Sequence, residues 1–271
     1  MTLVSTGWLN ENLNKVKIID ASWHLVKNRN AIEEYNKEHI ENAIFFDLDK
    51  NSNQKKDLSH GHFLPPTRNH EKSISEMGIL NTDRIIIYCC SDLISSCRAW
   101  FQFLYFGHDP KLVSVLNGGM KKWKLEGRKV TNLATKIIPS KYKAKENNNM
   151  IKVKSQIAEN IKIKEFTVLD ARSKNRFLGL VPEPRPGIKS GSIEESKSLP
   201  LSELVNTKDN TFLDKKKLKV IFNSKGINTN KIVMSCGSSV SASTLALAYS
   251  LINDDYMAKI YVGSWTEYGK E

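Results

Sequence analysis

The chain alternates short apolar runs with longer stretches in which apolar residues recur every three or four positions. The short runs are rich in Ile, Val and Leu and predict six strands, at 17–20, 85–90, 112–116, 167–170, 231–235 and 259–262. Two of the longer stretches predict helices over 96–106 and 241–252. Because uninterrupted apolar strands lie between helices, the pattern predicts an α/β fold with a mainly parallel sheet flanked by helices on both faces.

The second half of this pattern repeats the first. Residues 18–22 (IIDAS) recur as 168–172 (VLDAR), and residues 85–89 (IIIYC) recur as 232–236 (IVMSC), at offsets of 150 and 147. Such a duplication fixes the number of domains better than length does. Residues 131–150 lack sustained apolar periodicity and are rich in Lys and Asn, which is typical of a connector. We therefore predict two tandem domains, at 1–130 and 151–271, with a linker at 131–150.

Composition narrows the class of protein. Hydrophobic residues make up 40% and charged residues 26% of the 271, as in globular proteins. The apolar runs fall far short of the ~20 residues that span a bilayer, so we expect no membrane partner. The net charge is +12, but the lysines are dispersed and no basic helix is interleaved with aromatic residues, so we expect no nucleic-acid partner. The N-terminal residues show no secretory signal, which favours a cytoplasmic location.

Four cysteines are too few for a disulfide framework, and no CxxC pair indicates a zinc knuckle. One of them, Cys236, follows a predicted strand, and the small residues GSSVSA (237–242) then lead into a predicted helix. A loop of this composition can curl so that successive backbone N–H groups surround the sulfur. We therefore expect the pKa of Cys236 to lie below the ~8.5 of a free thiol, which makes its thiolate a nucleophile. The alternative is a buried, inert cysteine.

Several longer strings agree with this interpretation. They are DASW (20–23), HIENAIFFDLD (39–49), HFLP (62–65), DARS (170–173), RFLG (176–179), PEPRPG (182–187), CGS (236–238) and GSWTEY (263–268). Together they resemble the two-domain rhodanese superfamily, and within it most closely the 3-mercaptopyruvate sulfurtransferases, over almost the whole chain. The resemblance implies two tandem rhodanese-like domains, the first non-catalytic and the second catalytic.

The activity implied by this resemblance is sulfur transfer through a Cys236 persulfide. The donor would be 3-mercaptopyruvate, which is released as pyruvate, and the acceptor would be cyanide or a thiol such as thioredoxin or a low-molecular-weight thiol. The small, uncharged residues Gly237 and Ser238 favour this donor, whereas the thiosulfate-using branch places basic residues there. No metal and no organic cofactor is expected for this chemistry.

The resemblance also implies roles for further residues. Arg176 and Arg185 match the substrate-binding arginines, and arginine suits a carboxylate because its guanidinium is planar and permanently charged. The loop residues that match the substrate-binding cradle are Gly237, Ser239, Val240 and Ser241. The alternative for the two arginines is surface salt bridging.

A Ser, His, Asp arrangement near the nucleophile matches Ser238, His62 and Asp49. The last two come from the first half of the chain, so this match predicts a site in a cleft between the domains. A histidine could protonate the departing enolate near neutral pH. The alternatives are a solvated loop histidine for His62 and a turn or cap residue for Asp49.

The sequence departs from the family pattern at several positions. In the second half these are Ser239, Ser241, Ser192 and Val262. If Ser239 needs a positive φ, its side chain costs about 1 kcal/mol or more. In the first half, Cys89 and Cys90 stand where the family usually has an inert acidic residue. We interpret both as structural thiols, with oxidation or a resolving role as the alternative, and Cys97 as a packing residue.

Rival functions remain open to different degrees. Cysteine phosphatases need an arginine six positions after the nucleophile, but residue 242 is Ala and residues 95 and 96 are Ser, which argues against that chemistry in either half. A thiosulfate:cyanide sulfurtransferase and a low-turnover persulfide carrier in a sulfur relay both stay as alternatives.

Overall fold

The computed structural model describes residues 2–25, 28–53, 61–227 and 231–270. These residues form two compact units. The first unit consists of Met1–Ser52, Leu64–Asn147 and Asn206–Phe212, and the second of Asn53–Phe63, Asn148–Val205 and Leu213–Glu271. Neither unit is continuous in sequence, because each contains one short segment that interrupts the other.

The first unit contains a five-stranded sheet and five helices. In chain order they are β1 (Leu3–Val4), α1 (Thr6–Asn10), β2 (Lys17–Asp20), α2 (Ala31–Lys37), β3 (Ala43–Phe45), α3 (Thr67–Glu76), β4 (Ile85–Tyr88), α4 (Ser96–Tyr105), β5 (Val113–Leu116) and α5 (Gly119–Leu125).

The second unit repeats this plan. Its elements, together with the separate strand pair β9 and β10, are β6 (Ile151–Lys152), α6 (Lys154–Ile163), β7 (Thr167–Asp170), α7 (Lys174–Phe177), β8 (Lys197–Ser198), β9 (Val205–Asn206), β10 (Thr211–Phe212), α8 (Lys215–Ser224), β11 (Ile232–Ser235), α9 (Val240–Ser250), β12 (Ile260–Tyr261) and α10 (Ser264–Tyr268). Three-residue 3-10 turns lie at Asn148–Met150 and Leu201–Glu203.

The two five-stranded sheets have the same strand order. It is β1-β5-β4-β2-β3 in the first unit and β6-β12-β11-β7-β8 in the second, and every neighbouring pair is parallel. The registers correspond as well, since Asp20 pairs with Tyr88 and Asp170 pairs with Ser235. The predicted α/β fold is therefore confirmed.

The central strand of each sheet is a mainly apolar run because it is buried on both faces. All four residues of β4 and all four of β11 are buried, because helices cover both faces of each sheet. The predicted strands at 17–20 and 167–170 have the observed bounds, while the strand predicted at 85–90 ends at Tyr88 and leaves Cys89 and Cys90 in the following loop. The carboxyl end of the central strand is thus where each unit presents its cysteine.

The residues predicted as the linker follow the first unit for most of their length. Tyr142 is buried, its N–H donates to Oγ of Ser75, and the N–H of Lys145 donates to the carbonyl of Phe106. The second unit begins at Asn148 on this side. The continuous domain bounds at 130 and 150 stay a prediction. The helices formed by the described residues are all too short or too polar to span a bilayer.

Candidate active site

Cys236 directly follows β11 and is 2% exposed. The first turn of α10 holds it in place, since the N–H of Trp265 donates to the carbonyl of Cys236 at 2.9 Å. The N–H of Cys236 donates in turn to Oγ of Ser264 at 3.2 Å, and the N–H of Thr266 donates to the carbonyl of Gly237 at 2.9 Å. Three hydrogen bonds from one distant segment therefore fix the backbone on which the thiol is carried.

The loop turns into α9 at Ser239, which is fully buried and has φ of 64° and ψ of 0°. This is the left-handed conformation, which costs a residue with a side chain about 1 kcal/mol or more. Ser239 therefore has the positive φ that was a condition for this cost. The carbonyl of Ser239 accepts from the N–H and Oγ of Ser243, which anchors the bend.

The bend leaves backbone donors beside the cysteine. Within the described part of the chain, no acceptor is paired with the N–H groups of Gly237, Ser238 or Ser239. Val240 and Ser241 form the first turn of α9, whose N-terminal dipole adds to these donors. Successive unpaired N–H groups at a helix N-terminus are the elements of an anion cradle.

Two guanidinium groups lie over Gly237. A Cβ atom built on this glycine would be 3.0 Å from Nη2 of Arg176 and 3.6 Å from Nη1 of Arg185. Nη2 of Arg185 also donates to Oγ of Ser238 at 3.1 Å. The missing side chain of Gly237 thus lets both arginines approach the residue next to the cysteine.

Glu183 positions Arg176, a role that sequence reasoning missed. The Glu183 carboxylate accepts from Nε of Arg176 at 3.0 Å and from its Nη2 at 2.5 Å, and it is 1% exposed. The same carboxylate accepts from Nη1 of Arg172 at 2.8 Å. The alternation of acidic and basic residues between 170 and 185 was the available signal, but it does not say which carboxylate meets which arginine.

Arg172 is the fully buried centre of this network. Its guanidinium bonds Asp170 through Nε and Nη2, donates to the carbonyl of Gly191 and lies 4.8 Å from the ring centre of Trp265. Burial lowers the pKa of Arg172, but the hydrogen bonds and charges of Asp170 and Glu183 outweigh it and raise the pKa overall. A permanently charged arginine therefore shares the Glu183 carboxylate with Arg176.

His62 belongs to the second unit and meets Ser238 there. Its Nδ1 lies 2.9 Å from Oγ of Ser238, and the imidazole is buried. Since Arg185 donates to the same Oγ, the single hydroxyl hydrogen of Ser238 can be given to Nδ1 of a neutral imidazole. The carbonyl of His62 also accepts from Oγ of Ser239 at 3.4 Å. The structure thus brings together Cys236, Ser238 and His62 within one unit.

Comparison with known proteins decides the family. The rhodanese-like domain matches residues 5–126. A thiosulfate/3-mercaptopyruvate sulfurtransferase of Arabidopsis thaliana, named as mitochondrial, is 34% identical over 99% of this chain and 76% of the relative. A thiosulfate sulfurtransferase of Mus musculus is 33% identical over 98% of this chain and 91% of the relative. The chain belongs to the rhodanese family. Its fold matches the crystal structure of SseA from Escherichia coli, described among 3-mercaptopyruvate sulfotransferases, with a TM-score of 0.86 at 27% identity, covering 98% of this chain and 99% of that one.

As a sulfurtransferase of the rhodanese family, the chain carries an unusual loop in its first unit. Cys89 is buried, and its Sγ lies 3.4 Å from Oγ of Ser96. Burial raises the pKa of Cys89, and burial together with the hydrogen bond to Glu34 raises that of Cys90. Neither thiol is in the anionic form that a nucleophile needs near neutral pH. Cys97 is buried in α4, in keeping with a packing role.

Asp49 is the remaining predicted catalytic residue, and Ser192, Ser241 and Val262 are the remaining departures from the family pattern. Asp49 belongs to the first unit, where its Oδ1 accepts from Nε1 of Trp23 at 3.0 Å, and its role in catalysis stays a prediction. Ser241 and Val262 are buried. Nothing in the structure gives the change at Ser192 a chemical consequence.

Proposed function

We propose that this rhodanese-family sulfurtransferase uses 3-mercaptopyruvate as its donor. The Cys236 thiolate attacks the sulfur of the donor, the S–S bond forms, and the C–S bond breaks with its electron pair moving to carbon. Protonation of the resulting enolate gives pyruvate and leaves a persulfide on Cys236. An acceptor thiolate or cyanide then takes the outer sulfur and returns the cysteine.

The observation that carries this proposal is the pair of guanidinium groups beside Gly237. Nη2 of Arg176 and Nη1 of Arg185 lie 3.0 Å and 3.6 Å from the position that a Cβ atom on this glycine would take. Guanidinium groups suit a planar carboxylate such as that of mercaptopyruvate, whereas thiosulfate is a tetrahedral dianion. Neither Gly237 nor Ser238 supplies a further positive charge.

Different groups serve the two ends of the substrate. The guanidinium of Arg176 gives Nε and Nη2 to Glu183, so we assign its Nη1 to the substrate carboxylate. The unpaired N–H groups of the 237–239 segment would stabilise the anionic sulfur, before transfer as the thiolate and afterwards as the persulfide. The Ser238–His62 pair supplies a route for the proton that the enolate takes up.

Steady-state kinetics tests the donor. We expect pyruvate formation from mercaptopyruvate with a reducing thiol to exceed thiocyanate formation from thiosulfate and cyanide by at least about tenfold in kcat/KM, or about 1.4 kcal/mol. Cys236→Ser should abolish both activities, and Cys89→Ser is the matched control that should retain them. A preference for thiosulfate would overturn the donor assignment.

Thiosulfate use is the second candidate, and it is favoured by the name of the mouse relative, which is 33% identical. A persulfide carrier with little turnover is the third. Intact mass after exposure to mercaptopyruvate distinguishes it, because a carrier gains one sulfur atom on the peptide with Cys236 but releases pyruvate only once per chain. Thioredoxin or a small thiol as the acceptor, and a cytoplasmic location, stay predictions.

A further inference from the structure

A compact group of three potential metal ligands lies in the first unit, apart from the residues assigned to sulfur transfer. His24 follows β2, Glu34 lies in α2, and Cys90 follows β4. Nε2 of His24 lies 3.0 Å from Oε2 of Glu34, Sγ of Cys90 lies 2.9 Å from the same oxygen, and Sγ lies 3.8 Å from Nε2. One nitrogen, one oxygen and one sulfur therefore form a triangle with sides of 2.9 to 3.8 Å.

The size of this triangle fits tetrahedral Zn²⁺. With bonds of about 2.3 Å to sulfur and about 2.0–2.1 Å to nitrogen and oxygen, ligand atoms at the corners of a tetrahedron lie about 3.3–3.6 Å apart. The observed separations differ from these by about 0.6 Å or less, so small side-chain rotations would place all three atoms on one ion. The mixture of thiolate, imidazole and carboxylate suits Zn²⁺ and Co²⁺, whereas Ca²⁺ and Mg²⁺ prefer oxygen ligands alone.

Neighbouring residues already orient these ligands. The His24 side chain is only 4% exposed, which restricts its ring. Arg29 donates to both oxygens of Glu34, from Nε to Oε1 and from Nη2 to Oε2, each at 2.7 Å. A carboxylate oxygen has two lone pairs, so Oε2 can keep this hydrogen bond with one and bind a metal with the other. Oγ of Ser22 lies 3.1 Å from Sγ of Cys90 and accepts from the N–H of Cys90. Hydrogen-bonded ligands of this kind are typical of protein metal sites.

A cavity gives an ion access to this group. It has a volume of about 510 Å³ and is lined in part by Arg29, Glu34 and Cys90. Three protein ligands beside an open cavity leave the fourth tetrahedral position for water or a small anion, in contrast to the four protein ligands of a closed structural site.

We propose that His24, Glu34 and Cys90 bind one Zn²⁺ ion in the first unit. The ion forms one bond to each of Nε2, Oε2 and Sγ, and the proton of the Cys90 thiol is released to solvent. No atom changes its oxidation state. This site is independent of Cys236, so it does not depend on the function proposed above, for which no metal is required.

Co²⁺ titration of the metal-free full-length protein tests the proposal, because cobalt bound to a thiolate gives a charge-transfer band in the near ultraviolet. We expect one Co²⁺ per chain and displacement by Zn²⁺. Cys90→Ser should remove the band, and His24→Gln should weaken Co²⁺ binding by more than about tenfold. Cys89→Ser and Cys236→Ser are the matched controls and should keep the band.

Three outcomes would overturn the proposal: no band in the unaltered protein, a band that persists in Cys90→Ser, or a band lost in Cys236→Ser. A second measurement needs no variant. Stoichiometric Zn²⁺ should protect Cys90 from iodoacetamide, as read by peptide mass, and equal labelling with and without Zn²⁺ would refute binding at this thiol. Sulfurtransferase turnover should persist in Cys90→Ser, which separates this site from the one at Cys236.

Discussion

Gly237→Ala tests whether Arg176 and Arg185 bind the substrate because the missing side chain of Gly237 lets them lie close to the Cys236 loop. The new Cβ would lie 3.0 Å from Nη2 of Arg176, whereas ordinary contacts need about 3.5 Å, so the guanidinium must move by about 0.5 Å. It cannot do so freely, because Glu183 holds the same Nη2 at 2.5 Å. The backbone itself should tolerate alanine, since Gly237 does not have a positive φ.

The expected cost follows from the hydrogen bond that is disturbed. A bond to a charged group contributes about 1.5–3 kcal/mol, and losing about half of it lowers affinity by about three- to twelvefold. We therefore expect KM for mercaptopyruvate to rise by about that factor, with a smaller change in kcat and a Tm within a few degrees of the parent.

Gly7→Ala is the matched control for this change. The substitution is the same, the nearest atom is again an arginine Nη2, that of Arg128, but the distance is an ordinary 3.6 Å, and Gly7 lies in α1. KM should be unchanged in this variant. An unchanged KM in Gly237→Ala, with the protein folded, would refute the reasoning that Arg176 reaches the substrate across this glycine.

Three further outcomes are expected. Arg185→Lys should raise KM for mercaptopyruvate by more than about tenfold at similar kcat, since lysine lacks the planar fork, and equal loss in Cys89→Ser would contradict the assigned roles. Ser239→Gly should be about 1 kcal/mol more stable in urea than Ser239→Ala, because only glycine avoids the cost of φ at 64°, and equal stability would exclude strain there. Burial raises the pKa of Asp20 from 3.8 to about 6. The protonated carboxyl therefore contributes fully to the free energy of unfolding below about pH 4, and this contribution, about 3 kcal/mol, is lost as the pH rises through 6. The pH dependence should be absent in Asp20→Asn.

The sequence predicts the sheets better than the site. The β4 run IIIY is buried on both faces, so its apolar character alone identifies a central strand. Cys236 could be found because a strand, a small-residue loop and a helix follow one another directly along the chain. These signals come from residues that are close in sequence, so they can be recognised without knowledge of the tertiary structure.

The remaining features depend on contacts between distant residues. His62 precedes the second half of the sequence yet bonds Ser238, a separation of 176 residues. Glu183 looks like any surface acid in the string PEPRPG, and only folding shows that it serves Arg172 and Arg176 together. In the same way, the cluster of His24, Glu34 and Cys90 gathers from three separate elements and has no spacing motif that could have marked it.

The hydrogen bonds that fix the Cys236 backbone can form only after α10 has been synthesised. Ser264, whose hydroxyl accepts the N–H of Cys236, is translated 28 residues later. While those residues are still inside the ribosomal tunnel, the thiol has left its strand but lacks the partner that constrains its loop. The nucleophile is therefore assembled late, and an emerging polypeptide should be unable to accept sulfur until α10 has folded against it.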